Sequence, residues 1–266
     1  MLGISIFGAG GRMGEAITQE ILTNYRNKVA LISGLESPNS KRIGKNIPGT
    51  GIIILSSASL DKALKNVDTT INFTTPEAEI QNIPKIAQAK KDIILGTTGF
   101  TSEQMKIIED SIVKNKVSAV ISPNFSPLVN TQMLLTKKAS EILAPLGYDV
   151  GLIEEHHTGK KDSPSGTAKK LANIIISTKA ANKINYRSEG LKAKEKGELD
   201  IGVLRLGGTA GQHEVRIVGT HGRLVIESLM YNRADFAKGA IDAALWLQKN
   251  RKPGKIFSME DVLGIK

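Results

Sequence analysis

The run Ile4 to Phe7, followed by Gly8-Ala9-Gly10-Gly11-Arg12-Met13-Gly14, limits the possible folds more than any other stretch of the chain. An apolar strand leads straight into a glycine cluster. Ala16, Ile17, Glu20 and Ile21 then recur at helical spacing. The spacing Gly8-x-x-Gly11-x-x-Gly14 departs from the usual G-x-G-x-x-G. Gly8 and Gly10 supply the first pair, and the third glycine sits one place late, at Gly14. Glycines let the backbone turn tightly, and a helix start offers unpaired N–H groups and a positive dipole end to an anion. A turn of this kind between strand and helix predicts a pyrophosphate cradle. The acid expected about 20 residues on, at the end of the second strand, is Glu36, placed to hydrogen-bond adenosine ribose hydroxyls. A carboxylate there repels a 2′-phosphate and favours NADH, whereas Arg12, with Lys41 and Arg42, could still hold that phosphate.

Downstream, strand patterns at residues 28–35, 69–74 and 92–95 and at "VSAVISP" alternate with helical ones. Thr101 and Gln104 have capping-box spacing, and Met105, Ile108 and Ile112 then share a helix face. Pro84 is expected to kink or split the helix that contains it. This alternation predicts α/β architecture, an N-terminal Rossmann-type, doubly wound parallel sheet. The second half differs. A long amphipathic helix with Ser126 as N-cap and Pro127 at its first position leads to "YDVGLIEEHH", and three further strands follow in quick succession. Such a succession predicts an α+β unit with a mixed or mostly antiparallel sheet. A final helix closes the chain, "ADFAKGAIDAALWLQKN".

Composition narrows the function. Of 266 residues, 40% are hydrophobic and 23% charged, the balance of a soluble globular protein, and no apolar run approaches the roughly 18–20 residues of a membrane span. With no cysteine, disulfides and thiolate metal sites are excluded, and the chain reads as cytoplasmic. Net charge is +10, yet the basic residues are scattered and aromatics are 4%, which argues against nucleic acid and suits a small anionic ligand.

The stretch "EEHHTGKKDSPSGTA", Glu154 to Ala168, carries the chemistry. Without cysteine or a G-x-S-x-G elbow, acyl transfer is set aside. Zinc is the next reading for His156 and His157. Adjacent strand residues point to opposite faces, and His213 and His221 lie in a different strand pair, so no metal is assigned. Anion capture with proton transfer remains. Asp162, Ser163 and Ser165 are capping residues, and Pro164 suits a first helical turn. The N–H groups near Gly166 and Thr167 would form a carboxylate site, and Lys160 adds positive charge. A histidine titrating near neutrality can donate or orient a proton. An ordinary polar loop is the plain alternative.

"GAGGRMG", "GTTGF", "PNFSPLVN" and "EEHHTGKKDSPSGTA" occur together and in this order. The chain thereby resembles the 4-hydroxy-tetrahydrodipicolinate reductases of bacterial and plant lysine biosynthesis, long called dihydrodipicolinate reductases. The likeness runs from Ile4 to Leu263. It implies reduction of a cyclic unsaturated dicarboxylate by NADH or NADPH to tetrahydrodipicolinate. It assigns the pyrophosphate to Gly8, Ala9, Gly10, Gly11, Arg12 and Met13, and the ribose to Glu36. The nicotinamide falls to Gly96, Thr97 and Thr98 with Ser122, Pro123, Asn124 and Phe125. His156 matches the acid–base residue, Lys160 the proton donor and carboxylate partner, and His157, Ser165, Gly166 and Thr167 substrate contacts. Arg233 lies in a hinge region where relatives also carry a basic residue. Ser37 stands where many relatives have a basic residue after the ribose acid, so both cofactors are expected, with NADH at least competitive. The resemblance further implies a nucleotide domain of residues 1–126 plus 233–266, a substrate and oligomerisation domain of residues 127–232, hinges near Ser126 and Asn232, and a homotetramer. Two rivals are weighed: another two-domain NAD(P)-dependent dehydrogenase of amino or keto acids, which the H-H-x-x-K and S-G-T string disfavours, and a nicotinamide-binding regulator, which leaves His156 and Lys160 unused.

Overall fold

The computed structural model describes residues 1–186 and 191–265. The chain divides into two compact units, one of Met1–Pro127 together with the segment from Ala234 onward, the other of Leu128–Arg233.

In the first unit β1 (Leu2–Phe7), β2 (Val29–Glu36), β3 (Ile54–Ser56), β4 (Thr69–Asn72), β5 (Asp92–Leu95), β6 (Ala119–Ile121) and β12 (Ile256–Phe257) form one sheet in the order β12-β6-β5-β4-β1-β2-β3. Every pairing is parallel. The strands are nearly continuous apolar runs because both faces are covered. Ile4, Ile6, Ile71 and Ile94 face one apolar cluster with Ile17 and Ala240, while Phe7, Ile93 and Leu95 face another with Ile83, Ile86, Ile108 and Ile112. Each such side chain, fully buried, contributes about 2–3 kcal/mol of transfer free energy.

Helix α1 (Arg12–Glu20) follows the glycine turn, the short α2 (Leu60–Ala63) follows β3, α3 (Pro76–Gln88) follows β4, and α4 (Ser102–Asn115) follows β5. The Thr101–Gln104 capping box is present. Pro84 does not divide its helix: α3 is one element from Pro76 to Gln88. One lost backbone bond is outweighed by the buried face of Ile83, Ile86 and Ala87 on either side of it. Helix α7 (Ala234–Asn250) returns to this unit and lays Ala237, Ala240, Ala243 and Ala244 into the first cluster. Small residues are required there, since a Cβ on Gly239 would run into the carbonyl oxygen of Phe125. Short β12 and α8 (Met259–Leu263) end the described chain.

The second unit contains most of α5 (Pro127–Leu143), α6 (Gly166–Ser177) and a mixed five-stranded sheet. Its strands are β7 (Asp149–His156), β8 (Lys183–Asn185), β9 (Glu198–Arg205), β10 (Gly211–Val218) and β11 (Arg223–Met230), in the order β11-β10-β7-β9-β8. β10 pairs antiparallel with β11 and β7; β9 is parallel to β7 and β8. Strict alternation in β7 buries Val150, Leu152, Glu154 and His156. The predicted face of α6, Ala168, Leu171, Ala172 and Ile175, is also buried. Among the described residues, no helix is long and apolar enough to cross a membrane.

Candidate active site

In the first unit the glycine turn has the form a dinucleotide needs. Gly8 has φ +83°, and a Cβ on it would meet the Phe73 carbonyl; a Cβ on Gly14 would meet the Gly8 carbonyl. Gly11 occupies the N-cap of α1 without a side chain to cap it. The first N–H groups of a helix have no intrahelical partner, so those of Arg12 and Met13 make no bond within α1. Glu36 ends β2, and its Oε1 accepts the Gly10 N–H at 2.8 Å, which fixes the carboxylate beside the turn. A cavity of about 300 Å³ adjoins it, lined by Gly8, Gly11, Leu35, Glu36, Phe73 and Thr74 among others. These groups fit a dinucleotide: backbone donors for the pyrophosphate, an acid for the ribose, and open volume between them. Arg42 lies over Gly10, within reach of the same point as Glu36 Oε1, and is 3.8 Å from Glu15.

The turns after β4, β5 and β6 gather around Phe73. A Cβ on Gly96 would strike the Phe73 ring, and that ring packs edge-on against Phe125 with centroids 5.9 Å apart. Thr97 is buried and Thr98 exposed. Ser122 Oγ donates to the Asn124 carbonyl at 2.8 Å, and Asn124 Oδ1 accepts the Ser126 N–H at 2.8 Å, which ties down the turn holding Pro123. Sequence reasoning missed Phe73. Its signal was a large aromatic directly after a buried strand, opposite a glycine.

In the second unit the motif is organised by a carboxylate. Glu154 is fully buried. Its Oε1 accepts the Ser165 N–H at 2.9 Å and Arg205 Nη2 at 3.1 Å. Its Oε2 lies 3.3 Å from His156 Nδ1, a close contact without good hydrogen-bond alignment. Burial pushes the Glu154 carboxyl up, but His156, Ser165 and Arg205 together outweigh it and hold it at about 2. Arg205 also donates to the Asp162 carbonyl at 2.6 Å and so fastens the motif loop to β9. Lys160 stands 2.8 Å from Asp162 Oδ1; burial raises the Asp162 carboxyl, and Lys160 more than reverses this. His157 donates its N–H to Thr209 at 2.8 Å.

Ser165, not Asp162 or Ser163, caps α6, accepting the Ala168 N–H at 3.1 Å. Pro164 precedes the cap on a cis bond rather than entering the first turn. Gly166 opens the helix in exposed surroundings, with the half-buried Thr167 next to it.

His213 overturns one expectation. Its strand is the direct neighbour of β7, with His213 in register with Glu154, so it joins the cluster instead of lying in a separate strand pair. Its ring is 5.2 Å from that of His156, and its Nε2 is 3.0 Å from Ser165 Oγ. Burial, then the neighbouring His156, pushes His213 down to about 4, so it is neutral at ordinary pH. Glu154, His156 and His213 place one ligand atom each within 4.8 Å of one another, as a metal site would. Arg205 and the Ser165 N–H bind Oε1 of that carboxylate, while its Oε2, His156 Nδ1 and His213 Nδ1 have no hydrogen-bond partner among the described residues. Glu154, Arg205 and His213 escaped the sequence reading.

The order of these parts along the chain is that of a known family. Residues 2–125 match the description "Dihydrodipicolinate reductase, N-terminus", and residues 129–263 match "Dihydrodipicolinate reductase, C-terminus". The chain belongs to the dihydrodipicolinate reductase family. It is 38% identical to the 4-hydroxy-tetrahydrodipicolinate reductase of Methanosarcina barkeri over 100% of both chains. With that of Methanopyrus kandleri the identity is 35%, over 99% of this chain and 97% of the relative. A dipicolinate-bound dihydrodipicolinate reductase from Paenisporosarcina sp. TG-14 shares the fold, with a TM-score of 0.78, 23% identity and 97% of each chain covered. As a member of this family the chain is an oxidoreductase that works with NADH or NADPH.

Proposed function

We propose that the chain reduces 4-hydroxy-tetrahydrodipicolinate to tetrahydrodipicolinate, as a cytoplasmic enzyme of the diaminopimelate route to lysine. The observation that carries this reading is the meeting of His156 and the Ser165-capped start of α6 on one buried carboxylate, Glu154, with Lys160 paired to Asp162 on the same loop, in a chain whose other unit holds a dinucleotide turn.

The reaction removes the substrate hydroxyl as water and adds a hydride and a proton. The reduced nicotinamide, when bound, supplies the hydride. Gly8, Ala9, Gly10, Gly11, Arg12 and Met13 hold the pyrophosphate, and Glu36 takes the ribose. Gly96, Thr97, Thr98 and the Ser122–Phe125 turn position the ring. Lys160 and the first turn of α6 at Gly166 and Thr167 hold the substrate carboxylates, with His157 and Ser165 beside them. Hydride addition leaves electron density on the ring, which cationic groups stabilise. His156 moves the proton, its Nδ1 standing 3.3 Å from the Glu154 carboxylate.

Self-association into a homotetramer is part of this reading, and the surface of the second unit supports it. Edge strand β11 leaves Leu224, Val225 and Leu229 exposed, and Leu204 on β9 is exposed as well. An apolar sheet surface with an open edge is an interface in waiting. Sedimentation of the purified protein should give four chains; a monomer at micromolar concentration would remove this part. The catalytic reading is tested by supplying the condensation product of aspartate semialdehyde and pyruvate. Reduced cofactor should be consumed only then; consumption with general keto acids but not with this product would refute it.

A further inference from the structure

Helix α3 begins with Thr75 as N-cap, its hydroxyl accepting the Ala78 N–H. Glu79, one turn in, is fully buried and pairs with no cation among the described residues. Its Oε1 accepts two hydroxyls, from Thr74 at 2.6 Å and from Thr97 at 3.0 Å. Thr97 Oγ1 in turn accepts the Thr74 N–H at 2.9 Å. One carboxyl oxygen thus joins the turn after β4 to the turn after β5. Its other oxygen, Oε2, is buried with no hydrogen-bond partner among the described residues.

Burying a carboxyl is expensive, and packing alone would be served by an apolar side chain. The two threonines have the placement that repays an acceptor at this point. Thr74 lines the cavity beside the glycine turn, and the same Phe73–Thr74 backbone is the surface on which Gly8 makes its close approach. A shift of Thr74 is therefore transmitted to Gly8, and a shift of Thr97 to the turn at Gly96.

We propose that Glu79 is a positioning residue for the dinucleotide: as the shared acceptor for Thr74 and Thr97, it holds the turns after β4 and β5 in the form that receives the cofactor. This rests on the reading of the first unit as a nicotinamide site. Glu79 itself touches no reacting atom.

The test measures binding of NADH and NADPH by fluorescence titration, alongside steady-state kinetics, in the full-length protein. Glu79→Leu removes the acceptor and should weaken both cofactors about 10-fold, the effect of losing roughly one ordered hydrogen-bonded contact. Its KM for the dicarboxylate should stay within about 3-fold of the parent, a split that general loosening of the fold does not produce. Glu79→Gln keeps an oxygen acceptor and should restore cofactor affinity. If Glu79→Leu does not fold, Thr97→Val and Thr97→Ser give the same contrast: the isosteric valine loses the hydroxyl and should weaken binding, whereas serine retains it. Unchanged cofactor affinity in Glu79→Leu or Thr97→Val, or equal losses for Gln and Leu, would overturn the positioning role. Failure of the parent to bind either reduced cofactor would overturn the nicotinamide reading and this inference with it.

Discussion

Replacing Glu79 by Gln should make the protein more stable at alkaline pH and leave it nearly unchanged in acid. Burial pushes the carboxyl from 4.5 up to about 7, and the hydroxyls of Thr74 and Thr97 offset only part of that rise. Between these values the folded chain keeps a proton that the unfolded chain has released. Stability tied to this group is therefore complete below pH 4.5, declines as pH rises, and is lost once pH passes about 7. At about 1.4 kcal/mol per pH unit, the gap amounts to roughly 3 kcal/mol. Glutamine carries no proton to lose and still accepts through its amide oxygen, so near pH 8 the variant should exceed the parent by up to about that amount. Trp246 is the only tryptophan and lies in the same unit, packed against Phe257. Its fluorescence during urea unfolding, followed for both proteins from about pH 4.5 to 8.5, reads the difference directly. Every other titrating group is common to the two chains and cancels. A stability difference that stays constant across the range would show that Glu79 keeps an ordinary carboxyl and that the reasoning fails.

His156→Gln and Lys160→Ala should each lower turnover by ~10²-fold or more, the usual scale for acid–base groups, while fluorescence titration shows cofactor binding intact; loss of that binding would remove the assigned roles. Arg42→Leu should weaken NADPH about 10-fold relative to NADH, since this half-exposed guanidinium lies beside Glu36 and Gly10 and pairs well with a phosphate. Equal effects on the two cofactors in steady-state titrations would place the 2′-phosphate elsewhere.

Legibility followed the range of the interactions. The parallel sheet could be read because its strands are apolar on both faces and its turns use glycine. The capping box at Thr101 depends on four consecutive residues. Of the kink or split expected at Pro84, the split is absent, because tertiary burial of Ile83 and Ile86 keeps the helix whole. The short edge strands β3 and β12, of three and two residues, carry too little pattern to detect. In the candidate site His156 and Lys160 were visible as a motif, but Glu154 owes its role to Arg205 and His213, 51 and 59 positions away, as 205 − 154 and 213 − 154 show. A local signal for His213 did exist. It alternates in phase with Val215 and Ile217, so the period of its own strand points it inward.

The return of α7 to the first unit governs the order of events during synthesis. The residues that cap one face of the parallel sheet, Ala237 to Leu247, and the last strand that borders β6 are translated after the whole of Leu128–Arg233. On the ribosome the second unit is translated while one oily face of the earlier-made sheet has Ile17 and Ile21 over it but still lacks its α7 cover. The nascent chain must guard that face until the segment from Ala234 onward emerges, so loss of α7 endangers the oldest part of the molecule rather than the newest.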